Sequence, residues 1–379
     1  MNYAISTIWH ERNRFMPAIL AVAFSALLIA LQSGLLLGLL SMMSTPVDRA
    51  TADVWIGYPG TRSVDLGRPI PEYWQSRLEA QPEMRQVETC IMGFAHWTLH
   101  ANQRRPETLT EACMILGTNL ERDSIALVEP LRQRPALTSL LAEPMTVLID
   151  ESEKGRLGVS KVGEEADILG FTVRVVGFVH GLKSLGGAYV FCSFATARTL
   201  LHYPQNDATF IVGRCANPGD AEKVVARLRR YPQMTVYTRD ELSFRSRMHW
   251  MTTTKAGLAL AFTACLGLVV GAVVTSQTLY AATVAAQREY ATLRAMGIPR
   301  WRLQISVVQQ SFWVGLAGII VALPITLALA WLAEFIGTRV RLPWFISVPA
   351  MIVTMFMALA SGLFALRSLQ KVDPVHNIR

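Results

Sequence analysis

Charge is what this sequence has least of where its apolar runs are longest. Ala18–Leu40, Ala256–Ala286, Ile305–Ala333 and Leu342–Leu366 contain no charged residue at all, and charged residues make up only 17% of the chain. Proton-coupled carriers usually keep acids inside the membrane, so these runs give a proton relay no support. No Gly-Lys dipeptide occurs, so no phosphate-cradling Walker loop is present. No Cys-x-x-Cys pair occurs among the five cysteines, which removes a zinc ribbon and a thioredoxin-like site. Gly-x-Ser-x-Gly is missing, and no Ser, His and acid stand out as a catalytic set. His96 and His100 have a four-residue spacing but no accompanying Glu, which reads as structural. The acidic run "IDESEK" reads as a helix start, with Asp150 as cap and Glu151 and Glu153 at the positive end of the dipole. The sequence therefore calls for no bound metal or cofactor.

What is present is apolar bulk, 51% of the residues. Each of the four runs exceeds the roughly 20 residues that cross a hydrocarbon core. In lipid the backbone must satisfy itself, so each is helical. The first run is too long for a signal-peptide core, although "ATA" at Ala50–Ala52 resembles a cleavage site. The organisation expected is an amphipathic helix at the cytoplasmic face (1–15), a first spanning helix (16–43) and an external domain (44–250). A second spanning helix (251–286), a cytoplasmic loop (287–303), spanning helices at 304–334 and 342–367, and a cytoplasmic tail (368–379) follow. Arg12 and Arg14, then Arg288, Arg294, Arg300 and Arg302, then Arg367, Lys371 and Arg379 flank the runs on one side. By the positive-inside rule both termini and the 287–303 loop are cytoplasmic. The net charge of +8 needs no nucleic acid, because a basic rim against anionic membrane lipid accounts for part of it.

The external segment reads as mixed α and β. "ADVWIG" alternates as a strand, "PIPEYWQSRLEAQ" as a helix and "QVETCIMGFAHWTL" as a strand again. The order recurs at "ATFIVGRC", "NPGDAEKVVARLRR" and "MTVYT", with Asn217 as N-cap and Pro218 just inside the helix. The two strand–helix–strand units can pair into one ferredoxin-like, porter-like lobe. The middle, about Leu120 to His202, would be an inserted β-rich lobe. Cys90 and Cys113 flank the turn-like "HANQRRPET". They either face each other as a disulfide or stay as buried free thiols, and spacing does not decide. Gln32, Gln277, Gln309 and Gln310 can hydrogen-bond between helices, and Gly34 and Gly38 permit close helix contact. Pro324 can kink the third run.

The segment "REYATLRAMGIPRWRL", Arg288–Leu303, is a charged island between two apolar runs. It reads as a helix ended by Gly297, with Pro299 preventing simple continuation. Leu293 and Met296 share one face, beside Thr292. The island is either a docking knob or an interfacial hairpin; physics alone leaves both open. Arg288, Glu289, Leu293, Arg294, Ala295, Gly297 and Arg300 resemble the "RE-x-x-x-LRA-x-G-x-x-R" loop of FtsX-like/MacB-like (type VII) ABC transporter permeases. Asp373, Pro374 and Arg379 resemble the family's closing "DPxxxLR", with Ile378 where leucine is usual. The N-terminal run and "MGFAHW" look most like the DevC-type branch. The resemblance implies a homodimeric permease that is not itself an enzyme. A separate ATP-binding subunit, itself a dimer, would use ATP and Mg and dock on Arg288, Glu289, Thr292, Leu293, Arg294, Met296 and Gly297. It further implies a bacterial inner-membrane protein with a periplasmic core domain, working with a HlyD-type membrane-fusion adaptor and a TolC-like outer-membrane duct in export. The alternative is a mechanotransmitting regulator of a cell-wall hydrolase or another periplasmic partner.

Overall fold

A computed structural model describes residues 12–99, 108–184, 186–253, 255–285, 299–335 and 344–370. The chain divides into two compact units, one formed by residues 1–39 with 258–379 and the other by residues 40–257.

Among the described residues of the first unit, three helices contain runs long and apolar enough to cross a membrane: Phe15–Met42, Ala261–Thr278 and Ile305–Ala333. The fourth expected run lies in the helix Trp344–Gln370, where the strictly apolar part is the shorter Ser347–Leu363. Small residues let these helices approach closely. Ser25 Oγ donates to the Gly271 carbonyl at 3.1 Å, helix to helix. Gln32 lies over Gly267 so tightly that a Cβ there would stand 1.9 Å from its Oε1. That Oε1 has no hydrogen-bond partner among the described residues. Pro324 lies inside the single helix Arg300–Phe335. A Cβ at Gly318 would stand 2.6 Å from Val22 Cγ1 and 3.1 Å from the backbone nitrogen of Ala23. Backbone cannot yield as a side chain can, so Gly318→Leu should separate the helices. A fall in melting temperature of the purified protein is expected, with a cost of about 1–3 kcal/mol; an unchanged melting curve would show that these helices do not pack here.

The described residues of the second unit form eleven strands. They are β1 Val54–Gly57, β2 Ile70–Pro71, β3 Met84–Leu99, β4 Leu109–Thr118, β5 Thr146–Asp150 and β6 Glu165–Ile168, then β7 Phe171–Val179, β8 Ala188–Ser193, β9 Asp207–Ala208, β10 Phe210–Cys215 and β11 Thr235–Thr238. One end is an antiparallel sheet in the order β11-β1-β10-β3. Val54 and Ile56 of β1 point to one core with Leu78, Val224, Val225 and Leu228, while Trp55 between them joins the core on the other face. The period-two pattern of "ADVWIG" thus serves two apolar faces. The helix Ala221–Leu228 begins after a short 3-10 turn whose N-cap is Asn217, but the Asn217 side chain makes no capping bond.

β3 is sixteen residues long and continues past this sheet. Its second half pairs with β4, and the order β3-β4-β8-β5-β7-β6 returns to β3 through Trp97↔Ile168. The strands therefore close into a six-stranded barrel, which leaves no free edge. Trp97, Ile115, Val147, Ile149, Val175 and Val190 share its core. The alternate residues Met114, Leu116, Leu148 and Phe191 pack with Ile125, Leu131 and Leu141 in another core. The β-rich part therefore starts within β3, not near Leu120. The change of partner along β3, from β10 to β4, marks that junction.

Asp150 caps as expected, its Oδ1 accepting from the Ser152 amide at 2.9 Å and its Oδ2 from the Leu182 amide at 2.5 Å. Glu151 and Glu153 lie in the first turn as expected, but Glu153 is buried, and its Oε1 has no hydrogen-bond partner among the described residues. Desolvation holds the Glu153 carboxyl above its usual range, against the pull of Arg156 and Lys183. A carboxyl whose folded pKa is raised favours the fold below its unfolded pKa and loses that contribution as pH rises through the folded value. Glu153→Gln should therefore raise the melting temperature at neutral pH, with the gain vanishing as pH falls to 4. A gain independent of pH would contradict a titrating carboxylate.

Candidate transmission site

The residues that the sequence singles out for docking, Arg288, Glu289, Thr292, Leu293, Arg294, Met296 and Gly297, lie outside the described residues, as do Asp373, Pro374 and Arg379. The shoulders of that loop are described. The helix Lys255–Ala285 precedes it, and Arg300–Phe335 follows, with the Arg302 amide donating to the Pro299 carbonyl at 3.1 Å. The Arg302 guanidinium lies over the Trp301 ring, 5.3 Å from its centroid.

Cys90 and Cys113 are both free and buried. The register sets Cys113 opposite Ala95 and Cys90 opposite Phe210. The two thiols belong to different cores, so the possible disulfide does not form. Burial pushes the Cys113 thiol up to about 12 and that of Cys90 higher still, which makes both inert as nucleophiles.

The site that the sequence did not reveal lies where the chain enters and leaves the external domain. The entry is the short helix Thr45–Arg49, reached three residues after the end of the helix Arg12–Met42. The exit is the helix Arg239–Thr253, two residues ahead of Lys255. Asp48 joins them. Its Oδ2 accepts from Arg247 Nη2 at 2.5 Å and from Ser44 Oγ at 2.8 Å, and its Oδ1 accepts from Ser243 Oγ at 2.6 Å. Arg247 Nε donates to Ser44 Oγ at 2.7 Å, and the Arg239 guanidinium donates to the Asp48 carbonyl. One half-buried carboxylate thus closes a ring of hydrogen bonds across 199 residues of chain. Charge-assisted bonds of this kind are shorter and about twice as strong as neutral ones.

Further bonds fix both stems to the sheet. Tyr189 Oη of β8 donates to the Met42 carbonyl at 3.1 Å. The Arg239 amide donates to the Asp53 carbonyl at 2.9 Å, and Ser246 Oγ accepts from the Val64 amide at 3.0 Å. Trp250 Nε1 donates to Asp65 Oδ2 at 2.9 Å. Hydrogen bonds thus join entry stem, exit stem and sheet. Only opposite charges at the two ends of the external segment hint at this in the sequence. Pairing them needs the fold.

The family model of the MacB-like periplasmic core domain matches residues 16–231, and that of the FtsX-like permease C-terminal region matches residues 261–371. The first covers more than half of the chain. This chain belongs to the FtsX-like/MacB-like permease family. Among solved structures, it is similar to the periplasmic region of MacB from Actinobacillus actinomycetemcomitans, at 12% identity over 51% of this chain and 92% of that one, with a TM-score of 0.34. It is also similar to the extracellular domain of the noncanonic ABC-type transporter YknZ from Gram-positive bacteria, at 14% identity over 49% of this chain and 99% of that one, with a TM-score of 0.32. No curated protein matches. In this permease family member the matched core-domain region contains the whole entry stem, and the matched C-terminal region runs across the undescribed 286–298 loop.

Proposed function

We propose that this permease is the membrane subunit of an ABC transporter in a bacterial inner membrane, spanning it four times with both termini cytoplasmic and the second unit in the periplasm. Two copies pair, and a separate ATP-binding dimer docks on Arg288–Gly297. Nucleotide-driven closure of that dimer shifts the spanning helices, and the Asp48 ring passes the shift to the external domain. A DevC-type assembly would add a HlyD-type adaptor and a TolC-like duct, and the work done would be export. The observation that carries this reading is the FtsX-like match over residues 261–371, which spans the charged island and the helices on both its sides.

The test is purification of the C-terminally tagged chain from its native membrane in mild detergent, with mass spectrometry of what accompanies it. An ATP-binding subunit with an adaptor is the expected result. An ATP-binding subunit with a cell-wall hydrolase would replace export by mechanical regulation of that enzyme. The absence of any ATP-binding subunit would overturn the proposal.

A further inference from the structure

The external domain carries a second feature that the transmission of motion does not use. An open groove of about 580 Å³ is lined by Arg85, Arg122, Arg132 and Arg214, with Asp123 as its one acidic member and Thr51 and Gln86 beside them. Four guanidinium groups against one carboxylate leave a formal charge of +3. Among the described residues none of the four arginines makes an ion pair. Arg132 is half-buried and fixed, its Nη1 donating to Thr51 Oγ1 at 2.8 Å. The Glu88 carboxylate borders the groove behind Gln86, whose Nε2 donates to it at 2.7 Å, and is also held by Ser124 Oγ at 2.7 Å and the Ile125 amide.

The backbone is shaped to gather these cations. Successive side chains of a regular strand point to opposite faces, so Arg85 and Gln86 would not line one groove. Here the register of β3 on β10 runs Arg214↔Gln86 and then Cys215↔Met84, which leaves Arg85 as the extra residue of a β-bulge. A bulge re-aims the side chain it carries, and Arg85 joins Gln86 and the cross-strand Arg214. Gln86 Nε2 then donates to the Asp123 carbonyl at 3.2 Å, holding the Arg122–Asp123 loop against the strand.

The groove lies at the end of the sheet where the chain enters and leaves. Val54, the first residue of β1, stands opposite both Gly213 and Thr238, the last residue of β11. Thr51 comes nine residues after Met42, the end of the first apolar run, so at most about 32 Å of extended chain separates them.

We propose that this groove is an anion site that takes a phosphate group. The planar fork of arginine matches phosphate oxygens two at a time. Arg85 and Arg214 supply the open forks, and Arg132 supplies a pre-positioned one. The phosphate belongs either to a lipid headgroup presented at the membrane surface or to a soluble phosphate compound. The site's chemistry does not depend on the permease reading, because it needs no ATP-binding partner.

The test is isothermal titration of the full-length protein in detergent with three probes: inorganic phosphate, dihexanoyl phosphatidylglycerol and a short polyglutamate peptide. Saturable binding of a phosphate probe, one per chain, is expected. Arg85→Ala and Arg214→Ala should each weaken it about tenfold, with partial retention in Arg85→Lys. Both side chains are exposed, so the variants should keep the parent melting temperature. Tighter binding of phosphatidylglycerol than of phosphate identifies a headgroup as the source; the reverse identifies a soluble phosphate. Preference for polyglutamate, no binding of either phosphate probe, or binding unchanged in the double Ala variant would each overturn the proposal.

Discussion

Leu293→Asp, or Met296→Asp, is expected to stop export while leaving the protein folded and in the membrane. The two side chains are three residues apart in a segment that the sequence reads as helix, where they would form one small apolar patch on a charged element. Such a patch contributes to docking only if a partner removes it from water. Burying either side chain in a partner's groove is worth about 1.5–3 kcal/mol. Putting a carboxylate there forfeits that gain and adds the cost of desolvating a charge. A loss of docking affinity of roughly a hundredfold or more follows. The segment is read as exposed to the cytosol, so neither variant removes a core contact. The measurement pairs ATP hydrolysis by the reconstituted complex with transport. Hydrolysis that no longer responds to the permease, together with lost export, is the expected outcome. Normal export by both variants would show that the island does not dock the ATPase.

The second large effect is at Asp48. Asp48→Ala removes the acceptor shared by Ser44, Ser243 and Arg247, and leaves the half-buried Arg247 without its carboxylate. A cost of about 2–3 kcal/mol is expected, and for a unit of this size each kcal/mol lowers the melting temperature by about 2–4 °C. Arg247→Ala should cost a similar amount. The double variant should cost much less than the sum, because the two side chains act through one bond. Function separates this ring from a merely structural role. Asp48→Asn keeps the size and part of the hydrogen bonding but removes the charge. It should leave a folded domain whose movement follows the helices poorly, so that ATP hydrolysis continues while transport falls. Full transport by Asp48→Asn would show that the stems need no ring to move the domain.

The elements with strong local patterns were legible in the sequence. "ADVWIG", "FIVGRC" and "TVYT" form adjacent strands, and the helix after Pro218 has its apolar Val224, Val225 and Leu228 in one core. The charge-free runs read as helices because nothing else keeps a backbone satisfied in lipid. What was not legible depends on pairing between distant segments. Barrel closure rests on Trp97 meeting Ile168, and the arginine groove rests on a one-residue register shift at Arg85. The Asp48–Arg247 bond joins residues 199 apart. Glu153 follows the capping Asp150 in the first turn, as the sequence suggested, but there it is buried. Its burial under the 182–184 segment has no local signal.

The most direct test of the central claim is a distance measured with and without nucleotide. A spin label at Asn217, an exposed position on the external domain, reports the separation of the two copies in a lipid disc that also holds the ATP-binding partner. The account predicts a shift in that distance when ATP is trapped, and loss of the shift in Asp48→Asn at an unchanged hydrolysis rate. A distance that stays the same in the parent protein through the hydrolysis cycle would contradict it.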